Sequence, residues 1–475
     1  MKIISKTIKL LPIFLLVLGL SGCSDDDDGI VVVPPNEQSI VDIALGNPNL
    51  TSLVAALQAA DGDLVNLLSG DGPFTVLAPT NDAFDTFLAG TPLDQVDTAL
   101  LEQILRNHVI SGNITAATLA GLSDAQGKGY ASTSADGPGG RNLSLLFDTS
   151  GTLPLFNNSA NVVSADLADI DASNGVIHVI DAVLDLPDIV DHAINNDNFT
   201  SLTQALTDEG LVPTLQMPGP YTVFAPTNDA FGNFTNPNTN ALSEILKNHV
   251  LSGLVFASDL GEADYVKTLA EGPMDLNMNG TNLDLYYNTT NGVILNGGPE
   301  VVATDIVGTN GVIHVIDNVI DIPTVVTFAL ADPNFASLVA ALSEADGSDA
   351  DPMYIPTLQT AGPFTVFAPN NNAFDTLLDG ATVADLDDAL LNSVLAHHVS
   401  TLGNALSTDL TPDGTTNIPT LVGQDIVITL PGTSGNIADV EDGAGNSDIG
   451  IIAVDVQAGN GVIHVLNKVL LPSGD

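Results

Sequence analysis

GPFTVLAPTNDAF occupies residues 72–84 and recurs as GPYTVFAPTNDAF at 219–231 and as GPFTVFAPNNNAF at 362–374. A second phrase, NGVIHV, follows each copy of the first. Successive copies of the first phrase lie 147 and then 143 residues apart. This spacing is too long for a solenoid repeat and is close to the ~100–150 residues of an independent domain. The sequence therefore predicts three tandem domains.

The first phrase itself predicts a buried strand followed by a capped helix. Phe74–Ala78 is a short apolar run that a proline ends, and Thr80 then stands where a helix N-cap is expected. Thr227 and Asn370 take this position in the other two copies. Both residue types accept a hydrogen bond from the first turn of a helix, so the same strand and helix are expected in each domain.

The second phrase predicts a strand that returns from a hairpin. In the middle copy, Val301–Ile306 leads to Asn310-Gly311, and Val312–Ile316 follows. An Asn-Gly pair supplies the positive φ angles of a tight turn, so we expect the hairpin to turn at these two residues. Mixed helices and strands without regular βαβ alternation favour α+β domains over a doubly wound sheet.

Two histidines recur in each domain. One ends an apolar helical face and the other lies in the NGVIHV strand: His108, His249 and His398 are of the first kind, and His178, His314 and His464 are of the second. A lone histidine at such a position is more often a packed, hydrogen-bonded residue, or a partner of the helix C-terminus, than a ligand. We therefore predict structural roles for all of them.

The residues before the first domain predict export and lipidation. Three lysines precede an apolar run, Leu10–Leu20, whose eleven residues are far fewer than the ~20 of a membrane-spanning helix. Leu20-Ser-Gly-Cys23 follows and resembles the lipobox of bacterial lipoproteins, whose cysteine carries the lipid. We expect residues 1–23 to be a signal peptide, Cys23 to be lipidated, and the membrane to be contacted only through that lipid.

The segment after Cys23 is predicted to be a tether. Residues 24–38 contain four aspartates, Asp25–Asp28, and a Pro-Pro pair, and this composition cannot form a packed core. A serine and acidic residues behind the lipid cysteine resemble the signal by which some Gram-negative bacteria export lipoproteins to the cell surface. We therefore expect an outer-membrane protein that faces the cell exterior; the alternative is a solvated spacer without an address.

Charge and cysteine content exclude several classes of function. Without the three lysines of its first 23 residues the chain has a formal charge of −52, against −49 for the whole sequence. Such an acidic protein is electrostatically unsuited to nucleic acid and to anionic membrane surfaces. Cys23 is the only cysteine, which excludes disulfides, iron–sulfur clusters, cysteine zinc sites and thiol catalysis.

The three motifs together resemble the fasciclin domain family: TVFAPTNDAF, a helix that ends in His-Val-x-Ser-Gly, and NGVIHVID about 100 residues later. The resemblance covers residues 39–471, which we divide into domains at 39–185, 186–322 and 323–471. It implies that each domain is a wedge-shaped β-sandwich with helices along one edge. It also implies extracellular adhesion and not catalysis.

The chain departs from the family at one functional position. Animal members have a Tyr-His pair in the middle helix that is linked to integrin binding, whereas here the histidine follows Asn107, Asn248 or His397. The sequence also contains no Arg-Gly-Asp. Both differences argue against integrin recognition.

The sequence lacks several common catalytic motifs. The sequence has no Gly-x-Ser-x-Gly, no phosphate-binding Gly-x-x-x-x-Gly-Lys and no His-Glu-x-x-His, so we predict a protein that is not an enzyme and needs no cofactor. Two acidic segments, 344–351 and 439–448, leave calcium binding open. Neither follows the EF-hand calcium-loop pattern, and solvated surface insertions are the favoured interpretation.

Two functions from different classes remain. The first is an anchored adhesion protein whose repeated domains bind matrix polysaccharide or a cell-surface protein with avidity. The alternative is a structural or spacer protein of the envelope or matrix that has no dedicated ligand. A hydrolase is disfavoured, because the sequence contains none of these catalytic motifs.

Overall fold

The computed structural model describes residues 38–347 and 353–474. The signal peptide, Cys23, nearly all of the predicted tether and part of the first acidic segment lie outside these residues. The described chain forms three tandem α+β domains, each with one sheet of seven or eight strands and a set of helices.

The first domain has six helices and eight strands. Its helices are α1 (Ile40–Gly46), α2 (Thr51–Ala59), α3 (Leu64–Leu68), α4 (Asn81–Leu88), α5 (Thr98–Asn107) and α6 (Ala116–Leu122). Its strands are β1 (Phe74–Pro79), β2 (Val109–Ser111), β3 (Lys128–Asp136), β4 (Asn142–Asp148), β5 (Leu155–Phe156), β6 (Ala160–Asn161), β7 (Ile170–Ala172) and β8 (Gly175–Ile180).

The second domain repeats this order with five helices and seven strands. Its helices are α7 (Ile189–Asn195), α8 (Thr200–Asp208), α9 (Val212–Leu215), α10 (Asn228–Asn233) and α11 (Leu242–Lys247). Its strands are β9 (Tyr221–Pro226), β10 (Val250–Ser252), β11 (Ala263–Glu271), β12 (Asn282–Asn288), β13 (Ile294–Leu295), β14 (Val301–Gly308) and β15 (Gly311–Ile316).

The third domain has the same plan. Its helices are α12 (Val325–Ala331), α13 (Ala336–Gly347), α14 (Tyr354–Leu358), α15 (Asn371–Leu378) and α16 (Asp388–His397). Its strands are β16 (Phe364–Pro369), β17 (Val399–Ser400), β18 (Thr415–Pro419), β19 (Asp425–Thr429), β20 (Ala438–Glu441), β21 (Ile449–Ala458) and β22 (Gly461–Leu466). Short 3-10 helices lie at Pro48–Leu50, Leu93–Gln95, Pro138–Gly140, Ala165–Leu167, Asp197–Phe199, Ala257–Asp259, Pro333–Phe335, Val383–Asp385 and Ser407–Asp409.

The two sequence phrases form the centre of each sheet. β1 pairs in parallel with β8, from Phe74 opposite Gly175 to Pro79 opposite Ile180, and β9 with β15 and β16 with β22 repeat this register. The central strand is buried on both faces. In the first domain Val76 packs with the helices, whereas Leu77 packs between the two halves of the sheet. This explains why the phrase is continuously apolar.

The asparagine of NGVIHV joins three distant segments of its domain. The Asn174 side chain donates to the carbonyls of Leu68 and Gly70, at 2.7 and 2.8 Å, and accepts from the amide of Ile40 at 2.9 Å. Its own carbonyl accepts from the amide of Phe74 at 3.0 Å. Asn310 and Asn460 make the same four hydrogen bonds in the other domains.

The prediction that both residues of Asn-Gly supply positive φ angles is wrong for the asparagine, whereas the glycine has a positive φ in two domains, +152° at Gly175 and +155° at Gly461. The turn consists of the two residues before the glycine, for example Thr309 and Asn310. None of the three asparagines has a positive φ. The glycine instead begins the return strand, where a Cβ on Gly311 would lie 2.3 Å from the carbonyl oxygen of Tyr221. Close approach to the parallel strand is a reason that this position needs a glycine in all three domains, and the positive φ is a second reason at Gly175 and Gly461.

No single helix within residues 38–347 and 353–474 combines the length and the apolar character needed to cross a bilayer. Two helix pairs that bend sharply, Ile40–Gly46 with Pro48–Ala59 and Val325–Ala331 with Pro333–Gly347, satisfy those two criteria only when each pair is taken together.

Replacing Asn174 with alanine is expected to destabilise the first domain by about 2–4 kcal/mol, because it leaves one buried amide and two carbonyls without partners. Hydrogen exchange measured by mass spectrometry would show faster opening of the peptides that contain residues 38–79. Asn49→Ala, on an exposed side chain of the same domain, is the control and should change opening little. Unchanged protection in Asn174→Ala would contradict the role that we give to this side chain.

Candidate functional site

The histidines that end the middle helices are buried and bonded on both ring nitrogens. His108 Nδ1 donates to the carbonyl of Ile104 at 2.7 Å, and its Nε2 accepts from the amide of Leu184 at 2.9 Å. Burial lowers the pKa of His108 to about 4, against the opposing effect of the Ile104 carbonyl. His249 and His398 make the same bonds and have the same lowered pKa. At neutral pH all three rings are therefore uncharged, so they do not act as cations at the helix ends.

The histidines of the return strands have the opposite tautomer. His178 Nε2 donates to the carbonyl of Ile114 at 3.0 Å, and its Nδ1 accepts from the amide of Asp169 at 3.3 Å. His314 and His464 repeat this pattern. The aspartate has a positive φ, +52° at Asp169, and its carboxylate caps a second backbone amide, that of Ala116 at 2.8 Å. The ring thus connects two loops, and neither nitrogen is open to a ligand.

Thr80, Thr227 and Asn370 lie at the N-caps of α4, α10 and α15. Each side chain accepts from the backbone amide three residues later, at 3.2, 3.2 and 3.0 Å. These bonds orient the helix that follows the central strand. A structural role for the caps and the histidines fits this geometry, and it stays a prediction until variants are measured.

The residues before the helix-ending histidines are inside the domains. Asn107, Asn248 and His397 are each 0% exposed. Asn107 donates to the carbonyl of Asp185, and His397 binds the Thr420 hydroxyl and the Gly443 amide. Side chains at this depth are not available to a protein partner, so the position that carries tyrosine in animal relatives does not form a surface here.

Carboxylates of the second acidic segment accept hydrogen bonds from nearby backbone amides. Asp442 accepts from the amides of Ala444, Asn446 and Leu471, and Asp439 accepts from the amide of Thr433. Across residues 38–347 and 353–474 there is no group of three or more His, Cys, Asp or Glu side chains arranged to hold a metal ion. These carboxylates act as loop caps in this structure.

The domain junctions are a feature that the sequence motifs did not indicate. At the first junction, the Tyr130 ring of β3 packs edge-on against His192 of α7, with centroids 5.5 Å apart, and its hydroxyl accepts from Asn196 at 3.2 Å. Burial raises the pKa of Tyr130 to about 12 and lowers that of His192 to about 4. At neutral pH both rings are therefore uncharged where the two domains meet.

The second junction uses the same positions, with the tyrosine kept and its partners changed. Tyr265 packs edge-on against Phe328, with centroids 5.4 Å apart, and its hydroxyl donates to Asp332 at 3.0 Å. A further pair of contacts is also repeated. The amide of Val307 donates to Ser144 at the first junction, and the amide of Gln457 donates to Asp284 at the second.

An apolar cluster and one cation complete the first junction. Ala135 and Leu143 of the first domain pack with Phe256, Val307 and Val312 of the second. The guanidinium of Arg141 lies 4.9 Å from the centre of the Phe256 ring. Successive domains are thus docked through side chains and are not simply joined by a flexible linker.

No sequence pattern could have found the junction residues from one domain alone, because their partners lie in the next domain. The signal that was available is the recurrence of tyrosine at Tyr130 and Tyr265, which occupy equal positions in β3 and β11 opposite Leu146 and Tyr286. A tyrosine repeated outside the two phrases indicates a repeated contact.

Comparison with known proteins places these domains in a family. The family model of the fasciclin domain matches residues 48–187, 197–323 and 333–472. Human periostin is 27% identical over 444 residues, which cover 92% of this chain and 47% of periostin. Transforming growth factor-beta-induced protein ig-h3 of Sus scrofa is 28% identical over 456 residues, 94% of this chain and 59% of that protein. The chain thus spans about half the length of these two relatives.

Bacterial and insect proteins are also similar. Protein sll1483 of Synechocystis is 44% identical over 154 residues, 31% of this chain and 72% of that protein. Among solved structures, a FAS1 domain pair from the insect cell adhesion molecule fasciclin I aligns with 58% of this chain and 97% of its own, at 19% identity and a TM-score of 0.36. The three matches to the family model cover most of the sequence and agree with the three observed α+β domains, and the chain belongs to the fasciclin domain family.

Proposed function

We propose that the chain is a surface-anchored adhesion protein that engages matrix polysaccharide or a cell-surface protein through its three fasciclin domains. The observation that carries this proposal is the completeness of the three copies. Each copy has the central parallel strand pair, the hydrogen-bonded asparagine of NGVIHV, and two histidines whose ring nitrogens are hydrogen-bonded. Three intact modules on one chain turn later contacts into intramolecular ones, which raises the avidity for a repetitive target.

A non-enzymatic role is consistent with the site geometry. The imidazoles at the helix ends and in the return strands have backbone partners on both nitrogens, so none is placed to act as a general base. Family membership supports adhesion in the same direction, since that is the family's usual role.

A structural or spacer protein is the second candidate, and the docked junctions favour it. Tyr130 and Tyr265 each reach into the first helix region of the following domain. Contacts of this kind restrict the spacing of neighbouring domains, and a protein that separates or assembles envelope components would need such a restriction.

The dependence on domain number separates the two candidates. Soluble chains of residues 39–185, 39–322 and 39–471 would be attached to beads at equal density and tested for retention on matrix polysaccharide and on cells. Adhesion by avidity predicts a steep rise from one domain to three. Full retention by the first domain alone would place the site within it, and no retention by any chain, with or without calcium, would favour the spacer.

The proposed anchor depends on the cysteine. Cys23→Ser should release the protein from membranes, because the apolar run before it is too short to hold the chain in a bilayer. Fractionation of cells, followed by detergent phase partitioning, measures this. A serine variant that still sediments with membranes would show that the lipoprotein interpretation is wrong.

The structural role of the histidines has its own test. His108→Ala is expected to lower the stability of the first domain by about 1–3 kcal/mol, since the amide of Leu184 and the carbonyl of Ile104 lose their partner. Thermal unfolding and bead retention would be measured on the same sample. Normal melting combined with lost retention would reverse the assignment and make this histidine a recognition residue.

A further inference from the structure

A cleft of about 690 Å³ lies between the first and second domains. One wall is the segment from Leu122 to Tyr130 of the first domain. The other wall combines the start of α10 with strand β14 of the second domain. This volume is within the ~300–1,000 Å³ of ligand-binding pockets.

One side of the cleft is the edge of a sheet. β14 is one of the two edge strands of the second domain's sheet, and its residues Val302, Ala303 and Thr304 are exposed where they line the cleft. The β14–β15 pairing shifts register around Ala303, which leaves this part of the strand irregular. An exposed strand edge offers backbone groups to an extended peptide, as in β-strand addition.

Apolar side chains are also exposed here. Leu122 at the end of α6 is 61% exposed, and Val302 is 58% exposed. They belong to opposite walls of the same cleft. An occupant with both apolar side chains and a free backbone would cover them.

The charge of the cleft selects the occupant further. Among the described residues that line it, Lys128 is the only cation, and its Nζ lies 2.8 Å from Asp148 and 3.3 Å from Asp197. Asp124 and Asp229 also line the cleft. Two carboxylates therefore line the cleft, and its one ammonium is already paired with two others, which disfavours anionic glycans and phosphates and favours a cationic ligand.

We propose that this cleft binds a short, extended, basic peptide segment of a partner protein. Its backbone would lie along β14, its lysine or arginine side chains would reach Asp124 and Asp229, and its apolar side chains would cover Leu122 and Val302. This assignment rests on the proposed adhesive function, because it names one contact surface and the chemistry of the partner that fits it.

The second junction provides an internal control. Ala303 pairs with Val315, and Ala453 pairs with Val465, so Ile452 stands in the third domain where Val302 stands in the second. The position of Lys128 is taken by Ala263, and the rings of Tyr265, Tyr286 and Phe328 form an aromatic cluster at this junction. Ile452 is 40% exposed, so a lysine is tolerated at either position without burial.

The test uses the chain from residue 24 onward and the fluorescein-labelled hexapeptide Val-Lys-Val-Lys-Val-Lys. Anisotropy at ~150 mM salt, where the Debye length is ~8 Å, limits diffuse attraction to the acidic surface. We expect saturable binding that is at least tenfold weaker for Val-Glu-Val-Glu-Val-Glu and for a peptide with a central proline. Val302→Lys should weaken binding at least fivefold, and the charge-matched Ile452→Lys should leave it unchanged.

Four results would overturn the proposal. Equal loss in both variants would mean that the peptide binds the acidic surface diffusely. Full binding of the proline peptide would remove the role of the strand edge, and binding of a neutral oligosaccharide instead of the peptide would assign the cleft to a glycan. If no peptide binds while bead retention still rises with domain number, the cleft assignment fails and the adhesive function stands.

Discussion

The fold of each domain depends on closing one parallel strand pair across about a hundred residues of chain, and a single asparagine side chain secures that closure. In the first domain Phe74 is paired with Gly175. Next to this pair, Asn174 binds the start of α1 and the end of α3. Because parallel strands need a long crossover, the connection between them must be fixed by groups outside the ladder. The Asn174 side chain supplies such groups, and it positions the helices together with apolar packing.

Much of this architecture could be predicted from the sequence, because it is written in local patterns. The apolar run that a proline ends gives the central strand, and Thr80 precedes a helix in the structure. The spacing of the repeated phrases predicted three tandem domains, and the mixed helices and strands predicted an α+β class; both predictions are confirmed. The exact boundaries between domains, the lipid anchor and the tether stay predictions.

The rest could not be predicted, for physical reasons that differ from case to case. An Asn-Gly pair has a strong local preference for tight turns, so the sequence predicted only a turn at Asn174. The long-range hydrogen bonds of the Asn174 side chain have no local sequence signal. Gly175 was predicted to be a turn glycine for the same reason, but it begins the return strand, where the carbonyl of Phe74 leaves no room for a Cβ and φ is +152°. Tyr130 and His192 belong to different domains, and no pattern within one repeat unit pairs them.

The repeated strand pair also has a consequence for the order in which the chain is made. GVIHVI is identical at Gly175–Ile180 and Gly311–Ile316, so the closing strands of the first two domains are interchangeable partners for β1. A ribosome that adds ~5–20 residues per second exposes the correct strand roughly 7–27 s before the second copy. The order of emergence therefore favours correct partnering. When the full-length chain refolds from denaturant, both copies of the strand are present from the start. Pairing of β1 with β15 in place of β8, which exchanges strands between neighbouring domains, then competes with correct folding.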